Sequence, residues 1–388
     1  METWFKRNIK GDPVIWMIVI VFYGLSTWVV YSAVSGIALR HREGDAEYFL
    51  FKHVLYIGVS LMAMWFVSRI NYVYYSKLAQ PLLIFSWILL VVVFFAGVQI
   101  NGSSAWLKVG PITFQPSDLG KWTMILALSS MLAKRQRIID DTSKALIPII
   151  TRVSITCGLI ALADMGTAMT LFVTCFVIMF IGRIPIKQIM SVAGIGSAVL
   201  FLFLMAGQRL GTVINRIADW WGMLTGGESH TLAYQVEQGF IAISRGGFWG
   251  VGLGHSQQRY FLPEAFSDYI YAIIIEEHGL KMGVVVIALY LALLYRAMKA
   301  TSQSDKAFGG LLSIGLAFSL VVQAIINMMV VVGLGPVTGL PLPFLSMGGT
   351  ALLFSGISMG VLLSISRQDL HEPEIQNFNA PRSEQAEE

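Results

Sequence analysis

The 24 residues from Pro13 to Gly36, PVIWMIVIVFYGLSTWVVYSAVSG, contain no charged side chain. A helix rising 1.5 Å per residue needs roughly twenty such residues to cross the hydrocarbon core of a bilayer. A cleaved signal peptide has a shorter apolar core. Although Lys6, Arg7 and Lys10 precede it, this run therefore reads as an uncleaved first helix. Similar runs recur almost to the end of the chain, with spans expected at 13–36, 49–69, 78–98, 117–134, 146–163, 166–183, 187–207, 268–296, 307–332 and 344–366. Only the polar punctuation at Asp164 and Gly166 parts the fifth span from the sixth, which predicts a tight hairpin there. The expected fold class is an all-α polytopic membrane protein with about ten transmembrane helices. The membrane domain covers 13–366, with a cytoplasmic N-terminus at 1–12 and a polar, disordered cytoplasmic tail at 367–388.

Composition agrees. Of 388 residues 55% are hydrophobic and only 13% charged, whereas a soluble domain carries about a quarter charged residues. The net charge of +4 comes from short Lys/Arg clusters between apolar runs, a topology signal that gives no reason to expect a nucleic-acid partner. One set of loops holds Lys6, Arg7 and Lys10; Arg69 and Lys77; Lys134, Arg135, Arg137 and Lys144; Arg183 and Lys187; Arg296, Lys299 and Lys306; and Arg367. The alternate loops hold Arg40, Arg42, Lys108 and four arginines spread over about sixty residues, and long loops weigh little in this rule. Both termini are expected in the cytoplasm of a bacterial inner membrane, with the alternate loops facing the periplasm. Cys157 and Cys175 sit inside apolar runs and read as small buried hydrophobes. No internal repeat of the transporter kind is visible.

The large periplasmic loop, 208–267, lies between the seventh and eighth spans. Its first part (Arg209, Arg216, Trp220, Trp221) reads either as a helix on the membrane surface or as a loop tethered by aromatics. A second helical pattern spans 232–244. Gly246, Gly247, Gly250, Gly252 and Gly254 follow; without a Gly-Lys-Ser/Thr they are no phosphate loop. Asp268 stands at the outer mouth of the next span, as a functional carboxylate or as a favourable charge at a helix start. Glu276 and Glu277 lie about 12–13 Å further along, where an ionisable group is either functional or paired. In Phe114-Gln-Pro-Ser-Asp118-Leu-Gly-Lys121, Pro116 suits a first helical turn. Asp118 and Lys121, at i and i+3, share a face, as an ion pair or as a polar wall for an anionic headgroup or a cation. Asp164-Met-Gly-Thr167 and the glycine- and proline-dense 333–350 fall on the same outer side. Non-helical backbone at membrane depth must be buried in protein or line a cavity. Asn327 offers an amide toward that end.

These motifs, in this order, resemble the SEDS family of bacterial shape, elongation, division and sporulation proteins (the FtsW, RodA and SpoVE types). The resemblance rests on 114–121, 164–167, Tyr234-Gln235 with Gly246-Gly247 and Gly252-Leu253-Gly254, Leu262-Pro263-Glu264 through Asp268, and 336–349. Gly252-Leu-Gly-His-Ser-Gln257 leans toward the division (FtsW) type. The resemblance implies ten helices and a peptidoglycan glycosyltransferase that polymerises lipid II, for septal or lateral wall synthesis. It makes Asp268 the essential loop carboxylate and general base, and places Asp118 and Lys121 near the site. An inverting transfer joins the acceptor C4 hydroxyl to the anomeric carbon of an α-linked lipid diphosphate, which calls for a base and for cations on the leaving group. Lys121, Arg209 and Arg216 are candidates for the diphosphate, with Glu264 and Ser346 completing the substrate-binding set. Asp118 could hold a divalent cation, Mg or Mn, although no ligand cluster demands one. The implied partners are lipid II, the nascent glycan strand, a class B penicillin-binding transpeptidase, and other divisome or elongasome membrane proteins. Four positions depart from the family pattern: Asp118 for Glu, Ala163 for Pro, Ala265-Phe266-Ser267 for a stretch with His-Thr, and Met347 for Tyr. A lipid II flippase, or a scaffold of the division complex, are the rival readings, since a buried Asp–Lys pair and interrupted helices also suit translocation.

Overall fold

The computed structural model describes residues 11–41, 46–100, 103–110, 112–139, 141–206, 210–225, 231–263, 265–303 and 306–368. The expected terminal segment 1–10, most of the expected tail, and the site candidates Arg209 and Glu264 lie outside the described residues. Helices α1 (Pro13–His41), α2 (Ala46–Val67) and α3 (Val73–Ala96) come first. Strands β1 (Val98–Ile100), β2 (Ser103–Val109) and β3 (Ile112–Phe114) follow, then α4 (Pro116–Lys134), α5 (Ile147–Ala163), α6 (Met165–Ile181) and α7 (Ile186–Ala206). The second half holds α8 (Leu210–Thr225), α9 (Thr231–Gly246), α10 (Ile270–His278), α11 (Leu280–Gln303), α12 (Ala307–Val331) and α13 (Gly349–Gln368).

Among the described residues, seven helices are long and apolar enough to cross a membrane: α1, α2, α3, α5 with its preceding turn, α11, α12 and α13. Helices α4, α6 and α7 occupy the positions of the expected spans 117–134, 166–183 and 187–207. α4 is diluted by Asp118, Lys121 and Lys134, and α6 has only 17 residues. Large side chains on α2 and α3, such as Phe51, Met62, Phe66, Phe94 and Phe95, face outward, as an apolar solvent requires. α4 and α12 are buried along most of their length and form the centre of the bundle.

Three expectations need correction. The chain is not purely α-helical: β1, β2 and β3 form a small antiparallel meander in which Leu107 pairs with Phe114 and Lys108 with Thr113. The alternating Ser103–Val109 stretch, followed by Gly110 at φ 61°, carried that signal. The expected helix 268–296 is two helices, broken at Gly279 (φ 82°), where a Cβ would collide with the Phe248 carbonyl oxygen. The span expected from 344 starts as helix only at Gly349, because 332–348 is non-helical.

α13 lies against α2 with Gly356 facing Ser60, and its missing side chain lets the two backbones approach, the usual device of helix pairs in lipid. A Cβ at Gly356 would fall 2.5 Å from the Ser60 carbonyl oxygen. Gly356→Val is therefore expected to destabilise the bundle by ~1–3 kcal/mol, read as a lower thermal-unfolding midpoint in detergent. Gly58→Ala, where a Cβ meets nothing within 4 Å, is expected to leave the midpoint unchanged or raise it slightly.

Candidate functional site

The non-helical segment 332–348 runs between α6, α8, α10 and α12 and brings the polar motifs together. Gln115, extended just ahead of Pro116 in the first turn of α4, donates from Nε2 to Asp164 Oδ2 at 3.1 Å. Asp164 caps α6, accepting from Thr167 N at 3.0 Å and Thr167 Oγ1 at 2.6 Å. Two stretches far apart in sequence thus meet at one carboxylate. Gly166 lets the loop pass: a Cβ there would lie 3.0 Å from the Thr338 carbonyl oxygen.

Asp268 precedes α10 and lies outside the spanning helices. Tyr269 is the N-cap and no side chain caps α10, so Asp268 stands at the helix start as a nearby charge without a capping hydrogen bond. Its Oδ1 accepts from Ser267 Oγ at 3.0 Å, and its Oδ2 lies 3.6 Å from the point where a side chain on Gly339 (φ 70°) would begin. Burial pushes the Asp268 carboxyl up to about 6; Ser267 and the Arg216 charge oppose the rise, and the Asp164 charge adds to it. Arg216, from α8, donates from Nη1 to the Val337 carbonyl at 3.1 Å. Ser346 Oγ donates to the Ser267 carbonyl at 2.6 Å and accepts from Leu342 N at 2.7 Å. With its hydrogen committed, Ser346 braces the base of the Asp268 loop rather than offering a hydroxyl to a ligand.

The expected Asp118–Lys121 pair takes a different form. No ion pair between them closes within 4.0 Å. Lys121 Nζ instead donates to Gln323 Oε1 at 2.6 Å, and Asp118 Oδ2 is buried with no hydrogen-bond partner. Both side chains line one small, partly open recess, shared with Gln323, Ser319, Ser355 and Ser358. Asp164 is near enough for its charge to act on Asp118, Lys121 and Asp268 alike. The recess and the Asp268 loop thus share Asp164 as a neighbouring charge, while Asp118 and Lys121 act chiefly on each other.

Glu276 is answered within the fold, whereas Glu277 is bonded through Oε1 only and keeps a buried Oε2 without a hydrogen-bond partner; both lie apart from the Asp118 recess. Glu276 accepts from Ser256 Oγ at 2.5 Å and from the backbone N–H groups of Gln257 and Gln258, and Arg245 lies 3.7 Å away. Glu277 accepts from Ser32 Oγ, which Arg259 also contacts. The Glu276 carboxylate fastens 256–258 to α10, the Glu277 carboxylate ties α10 to Ser32 of α1, and their main-chain carbonyls hold Val251 and Gly252. Among the described residues no group of three His, Cys, Asp or Glu side chains could hold a metal ion. Asp118 alone fits only an ion whose other ligands come from substrate and water. Sequence reading passed over Gln323, whose signal was a polar amide four residues before Asn327 in an otherwise apolar helix.

A family model described as cell cycle protein (FtsW, RodA, SpoVE) matches residues 12–371. The chain belongs to this family. It is 31% identical to the stage V sporulation protein E of Bacillus subtilis over 93% of this chain and 98% of that one. It is equally identical, with the same coverage, to the probable peptidoglycan glycosyltransferase FtsW of a Geobacter species. Its fold matches one chain of a peptidoglycan synthase complex (TM-score 0.71, 23% identity, 93% of this chain and 99% of that one). It also matches the rod shape determining protein RodA of Thermus thermophilus (TM-score 0.66, 24% identity, 92% and 97%).

Because Lys121 is hydrogen-bonded to an amide and meets Asp118 only through its charge, exchanging the two residues cannot preserve the arrangement. Asp118→Lys with Lys121→Asp places a carboxylate against Gln323 Oε1, an acceptor facing an acceptor. The exchanged protein is expected to unfold at a lower temperature in detergent than Lys121→Met, which leaves Gln323 short of one donor only. Equal or higher stability of the exchange would restore the simple ion pair.

Proposed function

We propose that this chain is a peptidoglycan glycosyltransferase that polymerises lipid II, with Asp268 as general base and Lys121 and Arg216 facing the diphosphate. The observation that carries the reading is the half-buried Asp268 carboxylate, raised to about 6 and sharing Asp164 as a neighbouring charge with a cation-bearing recess of a multi-pass bundle. The name of a relative 31% identical over 98% of its length, a probable peptidoglycan glycosyltransferase, supports the enzyme class.

Asp268 takes the proton of the acceptor C4 hydroxyl. The hydroxyl oxygen forms its bond to the anomeric carbon as the bond from that carbon to the diphosphate oxygen breaks, and the configuration inverts. A base with a pKa near 6 is ionised at neutral pH yet still accepts a proton usefully. Lys121 has three N–H donors, one of them spent on Gln323, so two remain for phosphate oxygens. Arg209 is assigned the same role from its place in the sequence, and Glu264 the sugar. A Mg or Mn ion bound here would take Asp118 Oδ2 and the substrate's phosphate oxygens as ligands, neutralising charge on the leaving group.

Reading α4, α6 and α7 as spans beside the seven long apolar helices among the described residues gives the ten of this proposal. The basic clusters support cytoplasmic termini and an Asp268 on the outer face of the inner membrane. α8 exposes Ile214, Ile217 and Trp221 while Trp220 and Arg216 bind the 333–337 backbone, which suits a helix lying at the membrane surface. Gly252–Gln257 favours the septal type, working with a class B penicillin-binding transpeptidase and other division proteins. A reporter active only in the cytoplasm is expected to work when fused after Lys144 or Lys299 and to be silent within 226–230; the reverse pattern would overturn the orientation.

Asp268→Asn keeps the size of the side chain but cannot accept the proton. Purified with its partner and given lipid II in detergent, it is expected to fold normally and to polymerise about 10²–10⁴-fold more slowly. In the unsubstituted protein the polymerisation rate should rise with pH through about 6 and then level off, because protonation below that value removes the base. Normal polymerisation by folded Asp268→Asn would sink the assignment. Absence of polymer from the unsubstituted complex, with headgroup crossing in vesicles, would favour the flippase.

A further inference from the structure

Two side-chain amides, one helical turn apart on α12, connect the two halves of the site. Gln323 accepts from Lys121 Nζ at 2.6 Å through Oε1 and donates from Nε2 to the Pro341 carbonyl at 2.8 Å. Asn327 donates from Nδ2 to the Asp268 carbonyl and to the Leu340 carbonyl, each at 2.7 Å. Partner chemistry fixes both orientations: an ammonium only donates and a backbone carbonyl only accepts. Both side chains are buried, with 4% and 2% exposure. Positions i and i+4 share one face of a helix, and the two amides accordingly grip consecutive carbonyls of one non-helical segment.

No other side chain does what Gln323 does here. A carboxylate would accept from Lys121 but turn lone pairs on the Pro341 carbonyl, and a hydroxyl is too short to bridge the two. Asn327 similarly spends both N–H groups on carbonyls, one belonging to the residue that carries the base. A backbone stretch outside any helix or strand has no ladder to hold its register, so side chains must supply it. A transfer reaction, in turn, tolerates little displacement of base and leaving-group cation.

We propose that Gln323 and Asn327 act as one positioning unit that fixes Lys121, the Leu340–Pro341 backbone and Asp268 in mutual register for glycosyl transfer. The inference rests on the reading of Asp268 as base and Lys121 as the phosphate-binding cation. Gln323 sets the direction in which Lys121 presents its two remaining N–H groups. Asn327 sets the position of the Asp268 main chain, and with it the distance of the carboxylate from Asp164, Arg216 and Ser267, the groups that act on its charge.

The test is the kinetics of lipid II polymerisation by the full-length protein with its partner in detergent, measured across the acid limb of the pH profile. Asn327→Leu and Gln323→Met keep shape and remove the hydrogen bonds. Asn327→Leu is expected to lower kcat about 10–100-fold, to leave KM nearly unchanged, and to move the acid limb away from its unsubstituted midpoint. Gln323→Met loses both bonds and is expected to raise KM, to lower kcat and to leave that midpoint in place. Gln323→Glu keeps the acceptor for Lys121 and loses the donor to Pro341, so it should hold KM and lower kcat. The double variant Gln323→Met/Asn327→Leu should fall within about twofold of the worse single variant, since coupled sites are not additive. Lower thermal stability with kcat, KM and acid limb unchanged in the folded fraction would make the amides purely structural and overturn the proposal, as would multiplicative losses. If Asn327→Leu does not fold, Asn327→Ser, whose hydroxyl satisfies one carbonyl, carries the same readouts. Asp268→Asn is run alongside. If it polymerises normally, the base assignment falls and the unit with it; if it is inactive while both amide variants behave as the unsubstituted protein, only the positioning unit falls.

Discussion

A non-helical segment packed among membrane helices must have its carbonyl groups satisfied by something other than water. In the stretch from Gly333 to Leu345 six side chains do this. Trp220 donates to Gly333 at 3.0 Å, Arg216 to Val337, Asn327 to Leu340, Gln323 to Pro341, Tyr290 to Pro343, and Ser26 to Leu345 at 2.8 Å. Those donors come from α1, α8, α11 and α12, so the segment is the place where distant parts of the chain are tied together. His53 extends the set. The single Ser26 hydrogen goes to Leu345, so His53 Nε2, 2.9 Å from Ser26 Oγ, is the donor in that contact.

The same constraint explains a strained residue. Phe344 holds φ 65° without being glycine, a conformation that costs ~1–2 kcal/mol. Its ring is buried, stacked on Phe22 at 5.4 Å and met edge-on by Tyr23 at 5.9 Å. Ring packing and the carbonyl bonds on either side hold the turn open. Ser346 can then reach the Ser267 carbonyl and Met347 N–H the Phe266 carbonyl at 3.0 Å. Asp268 owes its place to this turn more than to its own helix, which does not use it as a cap.

The two buried acidic clusters show how burial alone fails to identify a site. Glu276 is fully buried but receives three hydrogen bonds and lies near an arginine, so its charge is already answered within the fold. Asp118 is also buried, has an oxygen with no partner, and opens onto a recess beside a lysine with donors to spare. Unanswered polarity next to space marks a place for a charged ligand; answered polarity marks a clamp.

The sequence by itself determined the membrane class, most of the helices and the residues that carry charge, because twenty-residue apolar runs and isolated ionisable groups inside them are local signals. Lys121 and Asp268 could be read without coordinates for that reason. The break at Gly279, the strands after α3 and the late start of α13 were decided by close backbone approach and pairing, which one-dimensional hydropathy does not register. Only the tertiary structure showed that Lys121 is hydrogen-bonded to Gln323 while it acts on Asp118 through its charge alone, that Ser346 is a brace, and that Asp164 acts on both the recess and the Asp268 loop. Each of those facts is a hydrogen bond or a charge interaction between residues that the chain order separates, so spacing along the sequence could not disclose them.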